Sequence, residues 1–182
     1  AHSLNKAPQM IFIKSRSNSQ PWAVYHSSQG AGKYFDGIGA SAIATGNTRF
    51  GGVEPTSTHF TLGTSGDVNY DSYTYIALLF ASVNGISKVD KYEGNGSTSG
   101  PTVTLGFQPR LIIIKAIETT GNWIFITVTG TGTANNNGGY LDTTGTFYNA
   151  AYVDVTSTGF SITDNGSEVN QNGKDYLYYA HA

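Results

Sequence analysis

The sequence predicts an all-β protein made of two homologous antiparallel β-sandwich-like halves, or one larger sandwich with pseudo-twofold symmetry. Three observations lead there. No window carries apolar residues at i, i+3, i+4 and i+7 behind a capping residue, so no helix is expected. Short β-branched and aromatic runs alternate with Gly, Asn, Ser and Asp clusters, the punctuation of strands and turns. The chain is also written twice. Pro8-Gln-Met-Ile-Phe-Ile-Lys14 returns as Pro109-Arg-Leu-Ile-Ile-Ile-Lys115, Trp22 as Trp123, and Tyr75-Ile-Ala-Leu-Leu-Phe-Ala81 as Tyr176-Leu-Tyr-Tyr-Ala-His-Ala182, each at an offset of 101 residues. Ser57-Thr-His-Phe-Thr-Leu62 matches Ser157-Thr-Gly-Phe-Ser-Ile162, and Asp67-Val-Asn69 matches Glu168-Val-Asn170. A period this long is a duplicated half-domain or domain, not a solenoid unit. Shared positions therefore report scaffold first and a site second.

Strands are expected at 9–14, 22–26, 33–35, 59–62, 73–81, 86–92, 102–105, 110–117, 122–129, 139–142, 151–155, 159–163 and 175–181. The apolar runs Met10–Ile13, Ile76–Ala81 and Leu111–Ile114 suit strands covered on both faces. Phe60 and Leu62, like Phe160 and Ile162, alternate with polar neighbours as half-buried strands do. Asn18-Ser-Gln-Pro21 and Thr119-Thr-Gly-Asn122 each join an apolar strand to a Trp strand, and Asp164-Asn-Gly166 is a hairpin turn that tolerates positive φ. The segment 36–57 is the longest irregular stretch, the kind of loop in which binding residues gather. The repeats are placed at 1–92 and 93–182. The second is preceded by a Gly/Ser/Asn-rich lead-in to which His2–Pro8 matches only at its end, so the chain is expected to begin in mid-pattern, as a fragment or processed product would.

Charged residues make up only 12% and the net charge is −2, with no long basic run, which argues against phosphate-neutralising contacts with nucleic acid. No apolar stretch reaches membrane-spanning length, so no membrane insertion is expected. The absence of Cys excludes disulfides and thiolate chemistry. Low charge with abundant Thr, Asn, Gly and Tyr fits virion and bacterial surface β-proteins.

Several constellations invite chemistry. Asp67-Val-Asn-Tyr-Asp71 has the spacing of a calcium loop, making Asp67, Asn69 and Asp71 the candidate metal ligands. Its twelfth position, however, is Leu78 rather than Glu, which favours a turn and no cofactor. Trp22 and Trp123 follow polar turns, where an indole can stack on a sugar ring with polar groups beside it, although a core Trp is the better-supported reading. Lys14 and Lys115 close the apolar strands and fit ion pairs with Asp67 or Glu168. The Tyr-rich segments 70–75 and 176–179 offer large contact area at low entropy cost, in a core, a sheet surface or a subunit interface. Alternation puts Tyr73 and Tyr75 on one face, and Tyr176 and Tyr178 on one face with Tyr179 opposite. No His pair, nucleophile motif or convergent carboxylate pair can be identified, so no enzyme is expected.

The residues His2-Ser-Leu4, Pro8–Arg16, Trp22–His26, Phe60–Asn69, Thr74–Ala77, Tyr92-Glu-Gly-Asn-Gly-Ser97, Gly106-Phe-Gln-Pro109 and Thr120-Gly-Asn-Trp123 together resemble a domain that recurs in tail-fibre and other virion-associated proteins of bacteriophages, notably marine and cyanobacterial phages. The resemblance covers nearly the whole chain and departs most in the loops of Gly130–Ala150 and in the last strand. It implies a virion or extracellular setting, with adhesion or structure as the role, and brings no catalytic residues. The expected function is a non-enzymatic module of a phage tail fibre or other appendage, contacting a host surface polysaccharide or another virion protein. Trp22, Tyr25, His26, Asn122 and Trp123, with loop 36–57, are the candidate ligand contacts. A homo-oligomer, with a trimer as one arrangement, is compatible. The alternatives are a purely structural, self-assembling module and a carbohydrate-active enzyme.

Overall fold

The computed structural model describes every residue except 135, 143–147 and 150, and at 148–149 the backbone alone. Among the described residues there is no helix. The strands are β1 (Met10–Ser15), β2 (Ala23–His26), β3 (Lys33–Asp36), β4 (Ala44–Thr45), β5 (Tyr75–Phe80), β6 (Ser87–Glu93), β7 (Thr102–Thr104), β8 (Leu111–Ala116), β9 (Ile124–Val128), β10 (Asn136–Tyr140), β11 (Tyr148–Asn149), β12 (Val153–Thr156), β13 (Gly159–Ile162) and β14 (Asp175–His181). They fall into two compact units, Ala1–Ala81 and Ser82–Ala182. The division lies earlier than the 92/93 boundary read from sequence, because β6 pairs along its whole length with β14 and so belongs to the second unit.

In the first unit the sheet order is β4-β3-β2-β1-β5, all antiparallel. Ile11, Ile13, Ala23, Tyr25, Ala31, Phe50 and Val68 form its core, with Phe60, Leu62, Tyr75, Ala77 and Leu79 packed at the margin. In the second unit one sheet runs β11-β10-β9-β8-β14-β6 and another β12-β13-β7. Ile112, Ile114, Tyr176 and Tyr178 of the first of these sheets meet Val103, Val153, Val155, Phe160 and Ile162 of the second in one core, a sandwich-like arrangement. Each such fully buried aliphatic side chain contributes about 1.5–3 kcal/mol relative to exposure.

The two main sheets share register as well as order. Ile11 faces Leu79 and Ile112 faces Ala180; Met10 faces His26 and Leu111 faces Thr127. Every one of these pairs is reproduced at the offset of 101 residues seen in the sequence.

Three sequence expectations change. Residues 59–62 form no strand. Phe60 and Leu62 keep the packing positions of Phe160 and Ile162, but β13 is sandwiched between β12 and β7, whereas the 59–62 segment has no strand ladder on either side. Gly63 instead lies against the loop backbone, where a Cβ would meet the Thr48 carbonyl oxygen at 2.3 Å. The expected strand 139–142 begins earlier, at Asn136. The short edge strands β4 and β11 carry no hydrophobic alternation and were not expected.

Candidate functional site

A groove of about 310 Å³ in the first unit is lined by Asn18, Gln20, Thr64, Gly66, Tyr70 and Tyr73. Tyr70 and Tyr73 are 58% and 38% exposed, and their rings lie 4.9 Å apart at 45°. Large aromatic surface is normally buried, so an exposed pair beside amide and hydroxyl groups is informative.

Two buried or half-buried polar groups build its walls. The Tyr75 hydroxyl donates to the Gly66 carbonyl at 2.7 Å and accepts from the Tyr70 N–H at 2.9 Å, tying both ends of the turn to β5. That turn is closed by Tyr73 N–H to the Tyr70 carbonyl at 3.2 Å, with Ser72 in the left-handed region at φ 66°. A non-glycine residue there is strained by about 1–3 kcal/mol and persists because its surroundings fix it. On the opposite wall, Lys14 at the end of β1 donates through Nζ to the Gln20 carbonyl at 2.5 Å and to the Asn18 carbonyl at 3.5 Å. Asn18 Oδ1 also accepts the Gln20 N–H at 3.2 Å. The six lining residues carry no charge.

The second unit repeats this frame. Tyr176 OH donates to Ser167 O at 2.7 Å and accepts from Gln171 N at 2.8 Å, and Lys115 Nζ donates to Gly121 O at 2.6 Å. The surface differs. Gln171 and Lys174 stand where Tyr70 and Tyr73 stand in the first unit, and Lys174 pairs with Glu118 at 3.6 Å. Behind them lies a polar cluster. Glu168 accepts from Asn122 Nδ2 at 3.1 Å and from the Tyr140 hydroxyl at 3.0 Å, and the Tyr140 and Tyr152 hydroxyls are 3.4 Å apart. Lys115 is fully buried; burial pushes its pKa down to about 8, while the carboxylates of Asp142 and Glu168 act in the opposite direction.

None of the residues singled out from the sequence as ligand contacts lines the groove. Trp123, just ahead of β9, is 0% exposed, and Tyr25 and His26 on the interior strand β2 are equally buried. Stacking of an external ligand on Trp123 is therefore corrected to core packing. Tyr25 donates its hydroxyl to Glu54 at 2.6 Å, and burial, then Glu54, holds that phenol above its ordinary pKa. His26 Nδ1 lies 2.8 Å from the Ser28 hydroxyl. Trp22 is half-buried, edge-on to Phe12 at 6.3 Å, and the Asn122 amide is held by Glu168.

Loop 36–57 is anchored to its unit at several points. Phe50 is buried against Tyr25, Glu54 also accepts the Ala31 N–H at 2.7 Å, and Arg49 joins Asp36 at 3.2 Å and Asp67 in ion pairs while lying over the Tyr34 ring. Asp67 thus turns its carboxylate to Arg49, and Asn69 donates its side-chain amide to the Gly63 carbonyl at 3.0 Å. The Val68 and Asn69 N–H groups both donate to the Ser65 carbonyl, which closes a turn through Asp67 and Asn69. Among the described residues no three His, Cys, Asp or Glu side chains converge as a metal site. Tyr73 leaves the alternation expected from sequence, since β5 starts at Tyr75 and the Tyr70–Tyr73 turn precedes it. Sequence reasoning flagged the 70–75 run for contact area but not the groove; the signal was there in the two tyrosines that the repeat does not preserve.

Comparison with known proteins finds no match among curated proteins and none among solved structures. A family model described as a domain of unknown function (DUF7483) matches residues 1–182, the entire length, and the chain belongs to that family.

Proposed function

We propose that this chain is a non-catalytic binding module that holds a neutral sugar in the Tyr70/Tyr73 groove. The observation that carries this reading is the exposed tyrosine pair set beside Asn18, Gln20 and Thr64 in a concavity whose six lining residues are neutral. Sugars present an apolar ring face and a rim of hydroxyls. They are matched by aromatic surface plus a few fixed hydrogen-bonding groups, and a neutral lining, with the Lys14 ammonium already engaged by two carbonyls, suits an uncharged ring. The walls are tied to the scaffold through Tyr75 and Lys14, so little ordering is required on binding. The virion-appendage setting implied by the sequence resemblance belongs to the same proposal: a surface polysaccharide is the ligand such a module would meet. A glycan-array screen of the folded chain tests it. A saturable signal on neutral glycans that Tyr73→Ala weakens by about tenfold or more supports the reading. Signal restricted to acidic glycans, or unaffected by Tyr73→Ala in a folded variant, contradicts it.

A second reading, a structural module that assembles through its sheets, is favoured by one observation. β5 closes its sheet as an open edge with Ile76 and Leu78 exposed.

A further inference from the structure

We propose that the β5 edge, with the Val68–Asn69 turn beside it, is a receptor for a strand-and-turn segment of the pattern Ser87–Ser97, supplied by another repeat of this kind. The second unit displays the filled form of this receptor. There β14 does not end the sheet, because β6 pairs with it from Ser87 opposite His181 to Glu93 opposite Asp175. Past β6 the chain turns onto the 169–174 loop: Gly94 N–H donates to Lys174 O, Gly173 N–H to Gly94 O, and Gly96 N–H to Asn170 O. Asn170 holds Asn95 and Ser97 through its side chain, donating from Nδ2 to Asn95 Oδ1 and Ser97 O and accepting the Asn95 N–H at 2.8 Å. Tyr92 stacks on Tyr176 at 5.3 Å and donates its hydroxyl to Val169 O at 2.8 Å. Lys88 Nζ reaches Thr104 O at 3.2 Å.

Each receiving group has a counterpart in the first unit, one repeat earlier: Tyr75 for Tyr176, Val68 for Val169, Asn69 for Asn170, Ser72 for Gly173 and Ser3 for Thr104. The counterparts are preformed. The Val68–Asn69 turn has the same backbone bonds as Val169–Asn170, and both Asn side chains donate at 3.0 Å to the carbonyl six residues upstream. Ser72 holds φ 66° where Gly173 has 69°, so a strained serine keeps the conformation whose N–H, in the second unit, binds the incoming Gly94. The bond from Arg16 N–H to Thr74 O fixes which residues of β5 face β1. By alternation, Tyr75, Ala77 and Leu79 turn their backbone groups to the open side, as Tyr176, Tyr178 and Ala180 turn theirs to β6.

Among the described residues, no strand pairs with the outer side of β5. Asn69 is exposed, whereas Asn170 is fully buried, and Ile76 and Leu78 on β5 are 45% and 41% exposed. A cavity of about 280 Å³ lined by His2, Ser3, Leu4 and Leu79 lies where the second unit's geometry would send the Lys88 side chain. The edge is also unguarded. β5 has no charge, Pro or Gly, while β6, the outer strand of the second unit, carries Lys88, Asp90, Lys91 and Glu93. Charged edges resist further pairing and uncharged ones invite it. Pairing with the β5 of a second copy would satisfy the strand but leave the turn and the cavity unfilled, whereas a β6-type segment fills all three. This inference does not depend on the sugar groove.

The test is a titration of a synthetic peptide spanning Ser87–Ser97 into the intact chain, followed by amide NMR shifts and calorimetry. Saturable binding is expected, with shifts at Val68, Asn69, Ala77 and Leu79. Peptides carrying Tyr92→Ala or Gly94→Val should bind at least about tenfold more weakly, the first by losing its ring stack and hydroxyl bond, the second because a Cβ at Gly94 meets the carbonyl oxygen of Gln171 at 2.5 Å, whose counterpart is Tyr70. In the protein, Ala77→Pro should abolish binding while preserving the circular-dichroism spectrum, because only an edge-facing N–H is lost. No saturable binding at millimolar peptide, equal binding of the substituted peptides, or shifts confined to β6 and β14 would each overturn the proposal. So would self-association through β5 that the peptide does not compete with, which would assign the edge to a second copy.

Discussion

The turn at Tyr70–Tyr73 and its counterpart at Gln171–Lys174 have the same backbone and different faces. Both hang from a tyrosine hydroxyl, both carry a left-handed residue, and both sit beside a lysine that holds a neighbouring carbonyl. Only the first presents aromatic rings to solvent; the second presents an amide and an ammonium. What the two halves share is framework, so ligand chemistry is to be sought where they differ. This reverses the intuition that a repeated tryptophan or lysine marks a site.

The largest test of that division is the tryptophan pair. Trp123→Ala should cost about 3–5 kcal/mol in denaturant unfolding, the usual penalty for truncating a buried indole. Trp22→Ala should cost distinctly less, since its ring is half-exposed with an edge contact to Phe12. Equal costs would break the assignment of the two positions. Next in size, Tyr75→Phe and Tyr176→Phe should each lose about 1–3 kcal/mol by leaving a carbonyl and an N–H without their shared hydroxyl. Only Tyr75→Phe should also weaken sugar binding, through the loosened Tyr70.

A pH series sharpens the lysine comparison. Lys115 has a folded pKa of about 8, below its ordinary 10.5, so between those values the unfolded chain binds more protons. Stability should therefore rise from about pH 8 towards pH 10 in the wild type relative to Lys115→Met, read as the difference in melting temperature. Above pH 10 the stability of both proteins should fall. Burial holds the Tyr92 and Tyr178 phenols above their usual range, so the unfolded chain loses protons that the folded one keeps. The smallest effect is expected from calcium removal. EDTA should leave melting and any glycan signal unchanged, because Asp67 is engaged by Arg49 and Asn69 donates its amide to a carbonyl. A fall in melting temperature with EDTA would favour the metal reading.

The all-β class was legible because it rests on local pattern: apolar runs such as Leu111–Ile114, and turn residues between them. Residues 59–62 were misread because strand pattern reports burial and not the presence of a neighbour to pair with. The short strands β4 and β11 were missed for the converse reason: they are ordered by pairing and have no pattern of their own. The site was harder still. Trp22, Tyr25, His26 and Trp123 drew attention by residue type, yet their exposure depends on which strands end up interior. Tyr70 and Tyr73 come together only through a turn about Ser72, whose conformation no residue preference predicts.

The most direct measurement of the central claim, that the unshared tyrosines and not the shared frame carry binding, is a side-by-side titration of the neutral glycan selected on the array. The wild type, Tyr70→Ala/Tyr73→Ala and Gln171→Ala/Lys174→Ala would be compared after melting curves confirm that each is folded. The expected result is binding lost in the tyrosine variant and kept within about twofold in the other, since surface changes remote from a site shift free energy by less than about 0.5 kcal/mol. Equal loss in both, or retention in the tyrosine variant, would contradict the claim.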